Sequence, residues 1–289
     1  MFEKNETLDQ ARQRNIHDAL AEDVGQRDWT AELVPATQRV SARLLVRESA
    51  TLCGREWFEG CVRALDANAV LEWKFAEGAR MPADQVVCQI RADARALLSA
   101  ERPALNFLQL LSATATQTRA HVDAIGNSST NPKGCAILDT RKTIPGLRQA
   151  QKYAVRIGGG KNQRLALWHG ILIKENHIAA AGGVAQVLAN AKALGAGVGI
   201  QIEVESVAQL REALAAGARN VLLDNFTLDT MREAVAVNAA RALLEVSGNV
   251  TLEQVREIAA TGVDRISIGR LTKDVRAIDY SLRVIERID

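Results

Sequence analysis

From residue 135 onward, six short runs rich in leucine and β-branched residues each end on a polar or small residue. They cover residues 135–139, 171–174, 200–205, 220–224, 242–247 and 263–269, with amphipathic stretches between them. Taking Asp139, Lys174, Glu203, Asp224, Ser247 and Gly269 as strand ends, successive ends lie 35, 29, 21, 23 and 22 residues apart. Such intervals hold one strand, one helix and two short connections, so the strands run parallel with helices packed on them. Helix signals fall where this pattern needs them: Pro145 at a first-turn position, Ser206, Thr227 and Thr251 as N-caps, and Gly217 as a C-terminal stop. A closed barrel of this class needs eight strands, so the six read here predict a parallel α/β sheet or barrel, and if a barrel an incomplete or unusual one.

The first 98 residues read differently. An N-terminal helix precedes strand-like runs at 40–47, 70–75 and 85–91, with helical pieces between them, which is an α+β pattern and a separate domain. Residues 99–125 read as one long bridging helix, with Ser99 as N-cap and Leu105, Leu108, Leu111 and Ala115 on its apolar face. The stretch GNSSTNPKG, 126–134, reads as a loop.

The chain carries 36 Lys+Arg against 34 Asp+Glu, and a formal charge of +2 argues against a nucleic-acid or membrane coat. The N-terminus has no apolar signal segment, and the least charged stretch, 179–202, is interrupted by Lys192 and by glycines, so neither a leader nor a membrane span is expected. Cys53, Cys61, Cys88 and Cys135 are widely spaced, without a CxxC pair, which points to a reduced, cytoplasmic setting.

Charge is nonetheless concentrated locally. Between Thr140 and Lys174 lie eight basic residues and no acid. Arg148, Lys152 and Arg156 fit a solvated helix face, whereas Arg141 and Lys142 directly follow a strand end, where α/β barrels place their sites. The strand ends supply Asp139, Arg141, Lys142, Lys174, Glu203, Glu205, Asp224, Ser247, Gly248, Asn249, Gly269 and Arg270. Glu203 and Asp224 on neighbouring strands suit Mg²⁺ held largely through water and phosphate, with Glu205, on the same face as Glu203, an equal candidate. Ser247-Gly248-Asn249 and Gly269-Arg270 resemble late-barrel turns whose backbone N–H groups bind a phosphate monoester. Residues 155–162 fail the Walker A pattern, 195–199 precede a strand where a dinucleotide fingerprint follows one, and His177 lacks HExxH spacing. These residues describe an enzyme handling a phosphorylated substrate and a second anion with Mg²⁺.

Eight segments in order resemble the quinolinate phosphoribosyltransferase (carboxylating nicotinate-nucleotide pyrophosphorylase) family: ERPALNFLQLLSATAT (101–116), LDTRKTIPGLRQAQKYAV (138–155), GGGKNQR (158–164), LIKENH (172–177), IEVE (202–205), LLDNF (222–226), LEVSGNV (244–250) and ISIGRLTK (266–273). The resemblance implies an N-terminal α/β sandwich over 1–112, joined by the tail 276–289, and an incomplete barrel of the type II phosphoribosyltransferase kind over 113–275. It implies transfer of phosphoribose from phosphoribosyl pyrophosphate to quinolinate, with loss of one carboxylate, in NAD biosynthesis. Arg141, Gln163, Arg164 and Lys174 would then bind quinolinate, with Arg102 supplied across the interface of a homodimer or higher oligomer. Lys142, Ser247, Gly248, Asn249, Gly269, Arg270 and Lys273 would handle phosphoribosyl pyrophosphate, and Glu203 and Asp224 its Mg²⁺. Lys142, Lys174, Glu203 and Asp224 form the implied catalytic set. Two positions depart from the family pattern: Gln163 stands where histidine is frequent, and His169 where aspartate is common; Pro103 and Arg270 are smaller departures.

Overall fold

The computed structural model describes residues 6–288; residues 1–5 and Asp289, the ends of the expected N-terminal domain and tail, lie outside them. In chain order the elements are α1 (Leu8–Asp23), β1 (Arg39–Val46), β2 (Ala50–Thr51), α2 (Arg55–Leu65), β3 (Val70–Trp73), β4 (Arg80–Met81), β5 (Gln85–Asp93), α3 (Ala94–Ile125) and β6 (Ala136–Leu138). There follow α4 (Arg148–Ile157), β7 (Gly170–Ile173), α5 (Glu175–Ala181), α6 (Val184–Ala193), β8 (Gly199–Val204), α7 (Val207–Ala215), β9 (Asn220–Asp224) and α8 (Leu228–Asn238). The last are β10 (Leu243–Ser247), α9 (Val255–Ala259), β11 (Arg265–Ser267), α10 (Arg270–Lys273) and β12 (Tyr280–Ile288). Two units result: the chain up to Gln117 with Thr143–Gly158 and the stretch from Thr272 onward, and Thr118–Lys142 with Gly159–Leu271. No described helix is long and apolar enough to cross a membrane.

The first unit is an antiparallel sheet, in the order β12-β1-β5-β3, under a layer of helices. Along β1 every second residue, Val40, Ala42, Leu44 and Val46, is buried, so one face of the strand packs inward. That core takes in Trp57, Phe58, Cys61 and Val62 of α2 and Leu97, Leu108 and Leu111 of α3. Burial pushes the Cys61 and Cys88 thiols up to about 12, far from a reactive thiolate. The closing strand β12 was not legible as a strand. It is an edge strand whose Val284 and Ile285 are exposed and whose Arg283, Glu286 and Arg287 interrupt the alternation.

Several expectations are corrected here. The long helix begins at Ala94, not Ser99, because Asp93 Oδ1 accepts from the Ala96 backbone at 2.9 Å and caps it. Ser99 lies inside the helix, and its hydroxyl donates to Asp28 (2.7 Å). The helix also runs through Pro103. Residues 143–158, expected in the barrel, pack with the first unit: Ala150 and Ala154 of α4 join its core, and Tyr153 lies 5.4 Å from Trp57 between ring centroids. Pro145 precedes α4, whose N-cap is Leu147. The solvated-face reading holds for Arg156 only, since Lys152 is buried at 2% exposure and Arg148 donates to Thr143 Oγ1 (3.1 Å). Thr251 caps no helix either; its N–H donates to Gln254 Oε1 (3.1 Å) in the turn before α9.

The second unit holds six parallel strands in the order β6-β11-β10-β9-β8-β7. Lys161 bridges to Leu138 of the edge strand β6, and among the described residues no ladder joins β6 to β7, so the barrel is incomplete. One set of alternating residues, including Ile202, Val204, Val221, Leu223, Leu244, Val246, Ile266 and Ile268, forms the apolar core with the surrounding helices. The opposite set, Gln201, Glu203, Asp224, Glu245, Ser247, Arg265 and Ser267, gives the barrel a polar lining. Ser206 and Thr227 accept from the backbones of Gln209 and Thr230, both at 3.2 Å, capping α7 and α8 as the sequence predicts.

Candidate active site

The polar strand ends converge because the strands are parallel and in register. Asp224 at the end of β9 is level with Ser247 at the end of β10, and Glu203 on β8 pairs with Leu222, two residues short of Asp224. Lys174, the residue after β7, reaches across to Glu203, with Nζ 3.2 Å from Oε2. The His177 ring nitrogen Nδ1 accepts from the Lys174 backbone at 3.1 Å, which fixes the turn that presents this lysine.

The side chain of Glu203 is only 11% exposed. Burial pushes its carboxyl above the ordinary glutamate range; Lys174 opposes the shift, and the negative charges of Asp224 and Glu175 add to it. Glu205, the alternative ligand, is exposed beyond the strand, its N–H donating to Gln209 Oε1 (2.7 Å). Among the described residues no three of His, Cys, Asp and Glu converge as a metal cage. Glu203 and Asp224 could instead hold a hard cation that brings its remaining ligands as water and phosphate oxygens. Because folding raises the Glu203 pKa, the stability tied to its neutral form is present at low pH and lost as pH rises through the raised value. Glu203→Gln is therefore expected to melt above the parent once Glu203 ionises and to match it in acid. Melting curves of both proteins between about pH 4 and pH 8 check this.

Asp139, just after β6, is fully buried and is an organiser rather than a ligand. Its carboxylate accepts from Asn162 Nδ2 (2.5 Å) and from the Gln163 backbone (2.9 Å) and so fixes the segment that carries Gln163 and Arg164. Arg164 donates to the Gly170 carbonyl (2.8 Å). Its guanidinium is pushed below its ordinary value, first by burial and then by the positive charge of Arg141. The two guanidinium groups are thus close enough for the charge of one to disfavour the charge of the other. His169, in the family's aspartate position, keeps an acceptor there: its Nδ1 takes the Leu165 N–H at 3.0 Å.

The remaining turns are close-fitted. Gly248 has φ +114°, and a Cβ there would meet Asn225 Oδ1 at 2.2 Å, so only glycine fits. Asn225 itself donates its N–H to the Ser247 carbonyl (3.0 Å), locking the β9 and β10 turns together. A Cβ on Gly269 would meet Lys142 Cδ at 2.9 Å, which places the Lys142 stem against the β11 turn. The Lys142 N–H is held by Thr140 Oγ1 (3.0 Å). Arg141, Lys142, Gln163, Arg164, Lys174, Glu203, Asp224, Ser247, Gly248, Asn249, Gly269 and Arg270 thus share one unit. Arg102 and Lys273 belong to the other, where Lys273 Nζ lies 3.9 Å from Asp274. The sequence reading missed Thr140, Asn225, Gln201 and Glu245. The last two were signalled by spacing, each lying two residues before a site residue on its strand.

Known proteins resemble this chain in sequence and in fold. The N-terminal domain description of quinolinate phosphoribosyl transferase matches residues 28–112, and the C-terminal domain description matches 114–283. A nicotinate-nucleotide pyrophosphorylase [carboxylating] of Mycobacterium leprae is 39% identical over 280 residues, 94% of this chain and 96% of that protein. A probable enzyme of the same name from Bacillus subtilis is 38% identical over 264 residues, 91% of this chain and 90% of its own length. The solved nicotinate-nucleotide pyrophosphorylase of Francisella tularensis superposes with a TM-score of 0.91 at 40% identity, covering 97% of this chain and 98% of that one. The NadC structure from Streptococcus pyogenes gives 0.92 at 34% identity, covering 99% and 100%. With both domains matched in order and near full-length likeness in sequence and fold, the chain belongs to the quinolinate phosphoribosyl transferase family.

Proposed function

We infer that this protein transfers phosphoribose from phosphoribosyl pyrophosphate to the ring nitrogen of quinolinate and releases nicotinate mononucleotide, pyrophosphate and carbon dioxide for NAD biosynthesis. What supports the reading is that one unit holds both the cations Arg141 and Arg164, near enough for the charge of one to lower the pKa of the other, and the carboxylates Glu203 and Asp224 at the strand ends with the Ser247–Asn249 and Gly269–Arg270 turns.

In this reading Arg141, Arg164, Gln163 and Lys174 hold the two carboxylates of quinolinate, with Arg102 contributed by the partner of a homodimer. The turns at Ser247–Asn249 and Gly269–Arg270 offer backbone N–H groups to the 5-phosphate, and Lys273 adds a further cation for this substrate. The nitrogen lone pair attacks C1 of the ribose as the bond from C1 to the pyrophosphate oxygen breaks, and that electron pair leaves with pyrophosphate. Lys142 faces the departing anion and stabilises the charge that develops there. Glu203 and Asp224 would hold Mg²⁺, which supplies positive charge against pyrophosphate. In the second step the bond to the carboxylate beside the nitrogen breaks, its electron pair stays on the ring carbon under the pull of the pyridinium, and a proton replaces the CO₂. No nucleophilic side chain is required.

The test is a turnover assay with quinolinate labelled in the carboxylate beside nitrogen, phosphoribosyl pyrophosphate and Mg²⁺. One labelled CO₂ per nicotinate mononucleotide is expected. Turnover of nicotinate with none of quinolinate would overturn the assignment.

A further inference from the structure

At the amino ends of its parallel strands, the second unit carries a cavity of about 520 Å³ that the chemistry at the carboxyl ends does not use. Arg219 stands immediately before β9, Arg241 two residues before β10 and Asp264 immediately before β11, and Lys133 comes in from the stretch before β6. Asp224 and Ser247 close the same β9 and β10 at their other ends, roughly 13 Å away at about 3.3 Å per residue.

The lining holds three cations against one acid, and the acid is already engaged. Asp264 Oδ1 accepts from Asn131 Nδ2 and its Oδ2 from the Leu244 backbone, both at 2.8 Å. Arg241 is engaged too: Nε donates to the Asn238 carbonyl (3.1 Å) and Nη2 to the Val237 carbonyl (2.7 Å), so its charge answers the negative end of α8. Arg219 gives only Nη1, to the Arg241 carbonyl at 3.0 Å, which fixes the guanidinium and leaves Nε and Nη2 without a protein acceptor among the described residues. The Lys133 ammonium has no acceptor among the described residues either.

We propose that this cavity is a second ligand site, for a nucleoside monophosphate whose phosphate is held by Arg219 and Lys133. A phosphate monoester carries a charge of about −1.5 to −2 at pH 7 and three terminal oxygens, and an arginine fork takes two of those at once. The cavity's volume lies within the range of small-molecule sites, about 300–1,000 Å³, and exceeds what a bare phosphate fills. The body of the ligand meets Pro132, Val235 and Leu243. The amides in the lining are already satisfied: Asn131 by Asp264 and the Lys133 N–H, and Asn238 by both main-chain groups of Ala242 at 2.8 and 3.0 Å. A polyhydroxyl body would find few partners there, whereas an aromatic base needs only the apolar wall. Ala240, on the same wall, and its neighbour Ala239 have φ of +61° and +45°, left-handed conformations that alanine rarely adopts and that gather at ligand sites. The proposal is independent of the acceptor assigned above.

Equilibrium dialysis with labelled AMP tests this, with phosphoribosyl pyrophosphate and Mg²⁺ present to fill the catalytic site and labelled inorganic phosphate as a second probe. The parent is expected to bind one AMP per chain, at least about tenfold more tightly than inorganic phosphate, because only AMP buries a base against the apolar wall. Lys133→Glu reverses a charge whose side chain has no described partner, so it should keep the parent's melting temperature while weakening AMP at least about tenfold. Arg219→Gln should weaken AMP by a similar factor; Lys133→Glu remains the deciding variant if loss of the bond to the Arg241 carbonyl unfolds that protein. Equal AMP affinity in the parent and Lys133→Glu overturns the proposal, as does the absence of saturable binding up to about 10 mM AMP. Inorganic phosphate bound as tightly as AMP overturns it as well, since the base would then contribute nothing.

Discussion

Asp224→Asn is expected to cut turnover by about 10² to 10³ while leaving the protein folded, on the scale of losing one electrostatic contact made in the transition state. Asn keeps the shape of the side chain and its hydrogen bonding to the neighbouring Asn225, which now reaches Oδ2 at 2.8 Å. What it removes is the negative charge that shares a cation with Glu203. Asp224 sits half-exposed at a strand end, where substitutions shift stability by only about 0.5 kcal/mol, so its melting temperature should barely move. The Mg²⁺ dependence is the sharper readout: the parent enzyme should stop in EDTA and recover with Mg²⁺, and the variant should gain little from added Mg²⁺. Undiminished parent activity in EDTA would remove the metal from the reaction, and a variant within about twofold of the parent would remove Asp224 from the metal.

Mixing two nearly inactive proteins, Arg102→Ala and Lys142→Ala, under subunit exchange is expected to restore activity to at most about half per heterodimer. Arg102 is exposed on α3, more than two helical turns past its start at Ala94 and in the unit that lacks the barrel strands. The family resemblance nevertheless assigns it to the acceptor. If it reaches the partner's barrel, one site of the mixed dimer carries both lesions and the other carries neither. Arginine suits the task because its planar fork meets a carboxylate with two parallel hydrogen bonds, so Arg102→Lys should already weaken quinolinate binding. Exchange shown by a mass-tagged subunit, without recovery of turnover, would confine Arg102 to its own chain's site or to none.

The parts of this protein that were legible in its sequence are those governed by local periodicity. Asp224 and Ser247 were read as strand ends, and both end strands in the structure. Ser206 and Thr227 were legible as caps because a hydroxyl before an amphipathic run answers a purely local need of the first turn. The placing of Lys174, Glu203, Asp224 and Ser247 at the strand ends followed from the same rule, since parallel strands bring their carboxyl ends to one rim whatever the details of packing.

Where a residue's role depends on what meets it from far along the chain, the sequence was silent or misleading. Lys152 has the spacing of a solvated helix face, yet α4 docks on Trp57 through Tyr153 and buries it. Ser99 looked like a cap, but Asp93 takes that place and the Ser99 hydroxyl serves Asp28 instead. Gly248 could have been any turn glycine until the approach of Asn225 made a side chain there impossible. Glu245 and Gln201 sit 44 positions apart, and the hydrogen bond between them forms only when their strands face one barrel interior. The sequence by itself determined the parallel strands, their intervals, the family and the identities of the charged groups at the barrel mouth, because these rest on short-range pattern and residue chemistry. Only the tertiary structure decided which of those groups pair and which are buried, because burial, charge and hydrogen bonding are set by neighbours that folding brings together across long stretches of chain.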